Sequence, residues 1–303
     1  MTASCRLQTL LAAGHFVLSA ELTPPRHHNL RPLMAIAEQL ETYMDVIQIN
    51  DNALAQARLS NLIAAQFVWH AGIEPIVQMT LRHRNRIALQ SDLLGLAALG
   101  IRNLIVVGGY PCSRGTDPQA KDAQDMSTIE AIAAINNLTE RGCMFNGEKI
   151  MSTPKFFMGT VAFTEVKSQD LEASLDHLEA KINCGAKFVQ LQATFDLESL
   201  QQWMTEAVKR GLHRKAYFMA AMYPFKSEKE LNLLHRWAGL KVPDWVFTTV
   251  KRSQSASFQF NLELIAKIKA IEGIRGLHFR CAHPRNCIVQ LVESAKLRES
   301  IAA

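Results

Sequence analysis

Eight times along this chain a short apolar or β-branched run gives way to a longer stretch with helical periodicity, and this alternation constrains the fold most. The strand-like runs are 16–22 (FVLSAEL), 46–50, 74–79, 104–107, 155–160, 188–192, 216–222 and 276–279. Helical stretches between and after them cover 33–40, 57–70, a segment ending near Gly100, then 127–141, 170–183, 197–210, 228–237 and 286–297. Gly72, Gly100, Gly142, Gly185 and Gly211 each follow a helical stretch, where a helix favours a left-handed terminal residue. An extra helix over 261–271 precedes the eighth strand. Eight strand–helix units in 303 residues predict an α/β chain, a (β/α)8 TIM barrel with an extra helix before the eighth strand. The competing architecture, an open doubly wound sheet, alternates in the same way but usually with fewer units. No composition shift or Pro/Ser-rich linker divides the chain, so one barrel domain over 1–303 is expected.

The chain is 48% hydrophobic and 20% charged, enough apolar content for a large core. A formal charge of +5 suits an anionic small molecule and makes no case for nucleic acid. The six cysteines are scattered, with no C-x-x-C pair, so a disulfide framework is not expected. Residues 1–11 lack a basic start and a long apolar run, and no window approaches eighteen consecutive apolar residues. A reduced, cytoplasmic protein without membrane association is the expectation.

In a barrel the C-terminal strand ends face the active site. That rule selects Glu21, Asn50, Asp51, Gln78, Thr80, Gly108, Gly109, Tyr110, Thr160, Gln192 and Tyr223. Glu21 sits between Ala20 and Leu22, just before Pro24 and Pro25. Burial there would raise its affinity for a proton and suit a general acid, whereas an arginine partner such as Arg26 or Arg58 would make it structural. Gly108 and Gly109 either admit a ligand close to the backbone or form a tight turn, and they do not make a GxGxxG pattern. The run RHRNR (82–86) opens the third helix as an anion dock or as a solvated basic helix start. His278, Cys281, His283 and Cys287 cluster without a structural-zinc spacing, which favours core cysteines over a metal site. Two connections, 110–124 and about 244–257, read as long loops.

Several strings together resemble the methylenetetrahydrofolate reductase family, in particular its short bacterial members. They are ELTPPR (21–26), INDN (49–52) with RLS (58–60), the run 72–109, FFMG (156–159), 181–185, and QLQ (190–192) followed by Phe195 and Asp196. The resemblance covers nearly the whole chain. It implies a flavoprotein in which NADH or NADPH reduces FAD, and the flavin passes hydride to methylenetetrahydrofolate to give methyltetrahydrofolate. Carried over by position, Glu21 is the acid that protonates the bridge nitrogen, and Gln192 touches folate and nicotinamide in turn. Asn50, Asp51, Gln78, Thr80, Gly108, Gly109, Ala123 and Thr160 line the flavin. Lys181 stands near the dinucleotide phosphates, Arg285 near the folate glutamate tail, and Glu230 at a polar substrate position.

The chain departs from the family at three places. Tyr110 stands where an Asp beside flavin and pterin is usual, Ala180 replaces a basic residue, and His177 occupies a polar contact. Losing the anion at 110 should raise the flavin potential, which favours oxidation of methyltetrahydrofolate in a demethylation pathway. A folate-binding subunit without catalysis and a folate-dependent methyltransferase are the alternatives on the same barrel. The resemblance also implies self-association, with a second subunit or electron-transfer partner as a further option.

Overall fold

A computed structural model describes residues 5–123, 125–164, 167–237, 241–250, 254–280 and 287–298. Eight parallel strands close on themselves in sequence order, β1 pairing with both β2 and β8. They are β1 Val17–Leu22, β2 Val46–Ile49, β3 Pro75–Thr80, β4 Asn103–Val107, β5 Phe157–Ala162, β6 Phe188–Leu191, β7 Tyr217–Met222 and β8 Ile274–Phe279. Each lies within three residues of its sequence-predicted place. The outer layer begins with α2 Arg31–Leu40, α3 Asn61–His70, α4 Arg86–Ala98 and α5 Thr128–Arg141. It continues with α6 Leu171–Asn183, α7 Leu197–Lys209, the single turn α8 Leu212–Lys215 and α9 Glu228–Trp237. The chain is a (β/α)8 barrel.

Side-chain parity divides the core in two. Leu18, Ala20, Ile47, Ile49, Val77, Met79, Leu104, Val106, Met158, Val189 and Phe218 point outward and pack under the helices. Val17, Val46, Ile76, Ile105, Phe157, Phe188 and Met219 point inward and fill the lower barrel, with Phe157 and Phe188 stacked at 5.4 Å. Gly159 makes room for that stack, because a Cβ there would run into the Phe188 ring. A helix absent from the sequence reading, α1 Arg6–Ala12, closes this end by adding Leu7 and Leu11 to the inner cluster. Its start is capped by Glu74, whose carboxylate accepts from Arg6 N at 2.9 Å and Leu7 N at 2.8 Å.

Between β7 and β8 the extra helix is longer than expected, α11 Gln254–Lys269. The predicted loop at 244–257 is corrected: it holds α10 Asp244–Val250 and the first turn of α11. Val246 and Val250 are buried, so the segment has an apolar face to dock. After β8 comes α12 Ile288–Ser294. The five glycines expected at helix ends all have positive φ. No helix among the described residues is long and apolar enough to cross a membrane.

Candidate functional site

The inward column changes character halfway up the barrel. Above the Phe157–Phe188 floor it becomes polar, with Ser19, Gln48, Gln190 and His278 all buried. Buried polar groups need partners, and these find one another. Gln190 Nε2 donates to Gln48 Oε1 at 3.0 Å, Gln48 Nε2 to Asn50 Oδ1 at 3.1 Å, and Asn50 Nδ2 to Thr23 Oγ1 at 3.0 Å. Between the neighbouring strands β1 and β8, Ser19 Oγ meets His278 Nδ1 at 2.8 Å. Among the described residues His278 Nε2 has no hydrogen-bond partner, and it lies 3.7 Å from Glu21 Oε2.

Glu21 crowns this column at the C-terminal end of β1, on the rim expected to carry the chemistry, and is 7% exposed. Its ionisation differs from the sequence reading. Burial pushes the carboxyl up, but Arg280, then His278 and Asn50, outweigh burial and bring it down to about 2. The partner is neither Arg26 nor Arg58. Arg280, two residues beyond His278 and just past the end of β8, brings Nε to 3.3 Å from Glu21 Oε2. Arg58 instead donates to Pro24 O and Gln56 Oε1. Burial lowers His278 as well, leaving it a neutral imidazole beneath the ion pair.

Arg280 also reaches Gln192, donating from a terminal nitrogen to Oε1 at 3.0 Å, and its guanidinium carbon lies 5.0 Å from the centre of the Tyr223 ring. Glu21, Gln192, Tyr223 and Arg280 therefore form one cluster at the mouth. Arg280 escaped the sequence reading, although the alternation Gly276, His278, Arg280 on a strand is the pattern that would have found it.

A second network stands on the β2–β3 side. The Asp51 carboxylate accepts from Thr80 N at 2.9 Å and pairs with Arg84, which also holds Asp92 at 2.7 Å. Gln78 Oε1 accepts from Asp51 N at 3.1 Å. The basic run at the third predicted helix is thus not a free anion dock: Arg82 pairs with Asp122 at 2.5 Å, Arg84 with Asp51 and Asp92, and Arg86 with Asp125 at 3.2 Å. The same bonds pin the loop after β4. Arg82 Nε donates to Gly109 O, Arg82 N to Gly108 O, and Ala123 N to Arg82 O. Gly109 is a turn glycine, with φ +86° and a Cβ position that would run into Thr80 Cγ2.

Two expected site residues do other work. Thr160 shares the outward face of β5 with Met158 and donates to Val106 O at 3.4 Å, away from the mouth. The Glu230 carboxylate accepts from Lys226 N at 2.8 Å at the start of α9, as a helix cap does. Arg285, Gln124, Cys281 and His283 lie outside the described residues. Among the described residues no group of three or more His, Cys, Asp and Glu side chains is placed to hold a metal ion.

The fit to a dinucleotide cofactor can be tested on the β4–β6 side. Lys181 on α6 is 7% exposed and donates to Val161 O at 3.1 Å, and among the described residues no carboxylate pairs with it. A buried ammonium with only a carbonyl acceptor suits an anionic group such as a phosphate. His177, one turn earlier, is exposed, and Tyr110 is 40% exposed. At Gly108 an added Cβ would meet nothing nearer than Thr128 Oγ1 at 3.9 Å, so a flat ring can approach the backbone there. These residues fit the group, whereas Asp51 and Gln78 are already committed to protein partners.

A closed parallel barrel with a buried acid, a glutamine and an aromatic at its C-terminal mouth defines the class: a (β/α)8 barrel with a polar cluster on the rim where such barrels carry their sites. The chain belongs to the methylenetetrahydrofolate reductase family, whose model matches residues 6–296. Relatives include a methylenetetrahydrofolate reductase of Pectobacterium carotovorum, 22% identical over 69% of this chain and 65% of that protein. A probable methylenetetrahydrofolate reductase (NADPH) of Caenorhabditis elegans is 20% identical over 80% of this chain and 35% of that protein. One from Schizosaccharomyces pombe is 24% identical over 46% of this chain and 24% of that protein. The chain thus matches from a quarter to two thirds of these relatives' lengths. Among solved structures, a Clostridium thermocellum protein described as binding two copies of 5-methyl-5,6,7,8-tetrahydrofolic acid superposes with a TM-score of 0.63, at 16% identity, over 97% of each chain. A 2,3-dimethylmalate lyase shares the barrel at a TM-score of 0.51, with 11% identity over 97% of this chain and 86% of that one.

Proposed function

We propose that this barrel, as one catalytic domain over 1–303, is a cytoplasmic folate oxidoreductase interconverting 5,10-methylene- and 5-methyltetrahydrofolate. FAD supplies the hydride chemistry when bound, with NADH or NADPH as the nicotinamide partner. The observation that carries the reading is the meeting of Glu21 and Gln192 at one guanidinium, on the rim where barrels do chemistry. The solved relative described with 5-methyltetrahydrofolic acid supports the substrate class.

Within the reading, Glu21 handles the proton. Toward the methyl compound it protonates a bridge nitrogen, and the opened ring becomes an iminium whose carbon accepts hydride. In the opposite direction its carboxylate takes that proton back as the ring closes. A resting carboxylate is already the form the oxidative direction requires, and this favours methyltetrahydrofolate as substrate. Gln192 orients the planar ring by hydrogen bonding, Tyr223 offers it a face, and Lys181 and the open backbone at Gly108 hold and admit the cofactor. Self-association or a second subunit completes the picture as the family resemblance implies.

A second reading, folate binding without turnover, draws on the Glu21–Arg280 ion pair, which leaves Glu21 at rest without a proton to give. A spectrum of the purified protein and stopped-flow mixing with 5-methyltetrahydrofolate separate the two. The oxidoreductase is expected to carry a yellow chromophore that the folate bleaches. Glu21→Gln should slow turnover by about 10²–10⁴-fold while still binding folate. A colourless protein that binds folate, or unchanged turnover in Glu21→Gln, selects the binding reading.

A further inference from the structure

Arg26 and Arg58, the two cations near Glu21 in the chain that do not pair with it, meet on the rim between β1 and β2. Leu59 N donates to Pro25 O at 2.9 Å, which sets Arg26 beside the stretch that carries Arg58. Arg58 donates to Pro24 O at 3.1 Å and to Gln56 Oε1 at 2.7 Å. Its Nε is buried and has no hydrogen-bond partner among the described residues. Arg26 is exposed, and among the described residues no carboxylate pairs with either arginine. Burial, and then the charge of Arg26, push Arg58 below the usual guanidinium pKa. Two guanidiniums side by side without an anion are an unbalanced arrangement. Each presents parallel N–H donors, which suit a carboxylate or a phosphate.

The loop that carries Arg58 is held in a costly shape. Asn52, Leu54 and Ala55, none of them glycine, have φ of 41°, 59° and 53°. The loop after β4 keeps it there: Thr116 N donates to Ala55 O at 3.3 Å, and Ala57 N donates to Thr116 Oγ1 at 3.3 Å. Arg58 N closes the loop on Asn52 Oδ1 at 3.0 Å. Pro24 stands three residues beyond Glu21, at most about 10 Å of chain. An anion on the arginine pair would thus lie one spacer away from the acid. A folate has this layout, with its ring at one end, a flat benzoyl spacer, and glutamyl carboxylates at the other. We propose that Arg26 and Arg58 form an anion seat on the β1–β2 rim that takes a carboxylate of the folate's glutamyl tail. The inference rests on the folate reading for the identity of the ligand. It leaves Glu21, Arg280 and Gln192 as they stand, so the base of the proposed reaction is untouched. The tail ends in an α- and a γ-carboxylate, so this pair and Arg285, named from the resemblance, do not compete for one group. Lys181, on the β5–β6 side, stays with the cofactor.

Calorimetry with two ligands of one size decides it: 5-methyltetrahydrofolate, and its tail diamide, in which both carboxylates are neutral. Wild type should prefer the acid, and the preference should weaken with salt. Arg26→Gln and Arg58→Gln should each shrink that preference by about 3–10-fold, while the diamide binds all three proteins alike. Arg58 also ties the loop to Pro24, so Arg58→Gln can fail to fold. Arg26→Gln keeps the test decisive, because Arg26 is exposed and holds no hydrogen bond among the described residues. An unchanged preference in Arg26→Gln overturns the proposal, as does an equal loss of acid and diamide. A loss of ADP binding with the preference intact also overturns it, since the pair would then serve a cofactor phosphate. If 5-methyltetrahydrofolate does not bind wild type, the folate reading fails, and γ-linked triglutamate alone judges the pair. A melting temperature that this peptide raises in wild type but not in Arg26→Gln keeps the carboxylate seat. An equal rise in both, or none in wild type, removes it.

Discussion

The carboxyl of Glu21 illustrates how one neighbour reverses the effect of burial. Desolvation alone would hold a proton on it, and a guanidinium at 3.3 Å removes that proton. Because the folded group binds its proton less readily than the unfolded one, the pair stabilises the fold above pH 4.5 and loses that effect as pH falls toward 2. A lowering from 4.5 to about 2 corresponds to roughly 3 kcal/mol at neutral pH. His278, lowered from 6.5 by burial, acts with the same sign, since the unfolded chain again binds the extra proton. Denaturant titrations of wild type and Glu21→Gln should therefore show a stability gap at pH 7 that closes on acidification. A gap that does not change with pH would contradict this account. The sequence made the position of Glu21 legible through the strand-end rule, but not its charge, because Arg280 lies 259 residues further on. Gly159 is a second residue-scale case. Its substitution by alanine should cost roughly 1–3 kcal/mol by overpacking Phe188, and Phe188→Leu should recover part of the loss in thermal melts.

At the level of elements, periodicity is readable wherever an element supplies its own signals. α5 begins at Ser127 with a full capping box to Glu130 and ends at Gly142, and its expected span matches to one residue at its start. α1 has none of these signals: it is seven residues long, and its cap comes from Glu74, next to β3. No local pattern reports a bond between segments so far apart. Glu74→Ala should fray α1 at a cost of roughly 1–3 kcal/mol, seen as faster hydrogen exchange at the amides of Arg6 and Leu7. Unchanged exchange there would mean that the inner apolar contacts of Leu7 and Leu11 suffice. The segment at 244–257 was misread for a related reason. Its helix α10 is short and β-branched, and it is fixed by docking Val246 and Val250 rather than by propensity. The basic run at 82–86 failed as an anion dock because its acidic partners come from two other segments, Asp51 beside β2 and Asp122 and Asp125 beyond β4.

For the molecule as a whole, two cores are stacked radially, one between sheet and helices and one inside the sheet. The eightfold alternation was enough to read this architecture, because each unit repeats the same amphipathic bargain between strand and helix. What lies inside the cylinder was harder to read, since inward positions on a buried parallel strand carry no polarity contrast until neighbouring strands are known. That interior has a plain geographical consequence. Phe157, Phe188 and Met219, with Leu7 and Leu11 beneath them, stop the bore at one end. Among the described residues that floor leaves Glu21 to be reached from the opposite rim rather than through the bore. On the proposed reading, two bulky planar visitors that want the same berth must queue there, and the pace of such traffic belongs to the barrel as much as to the reaction.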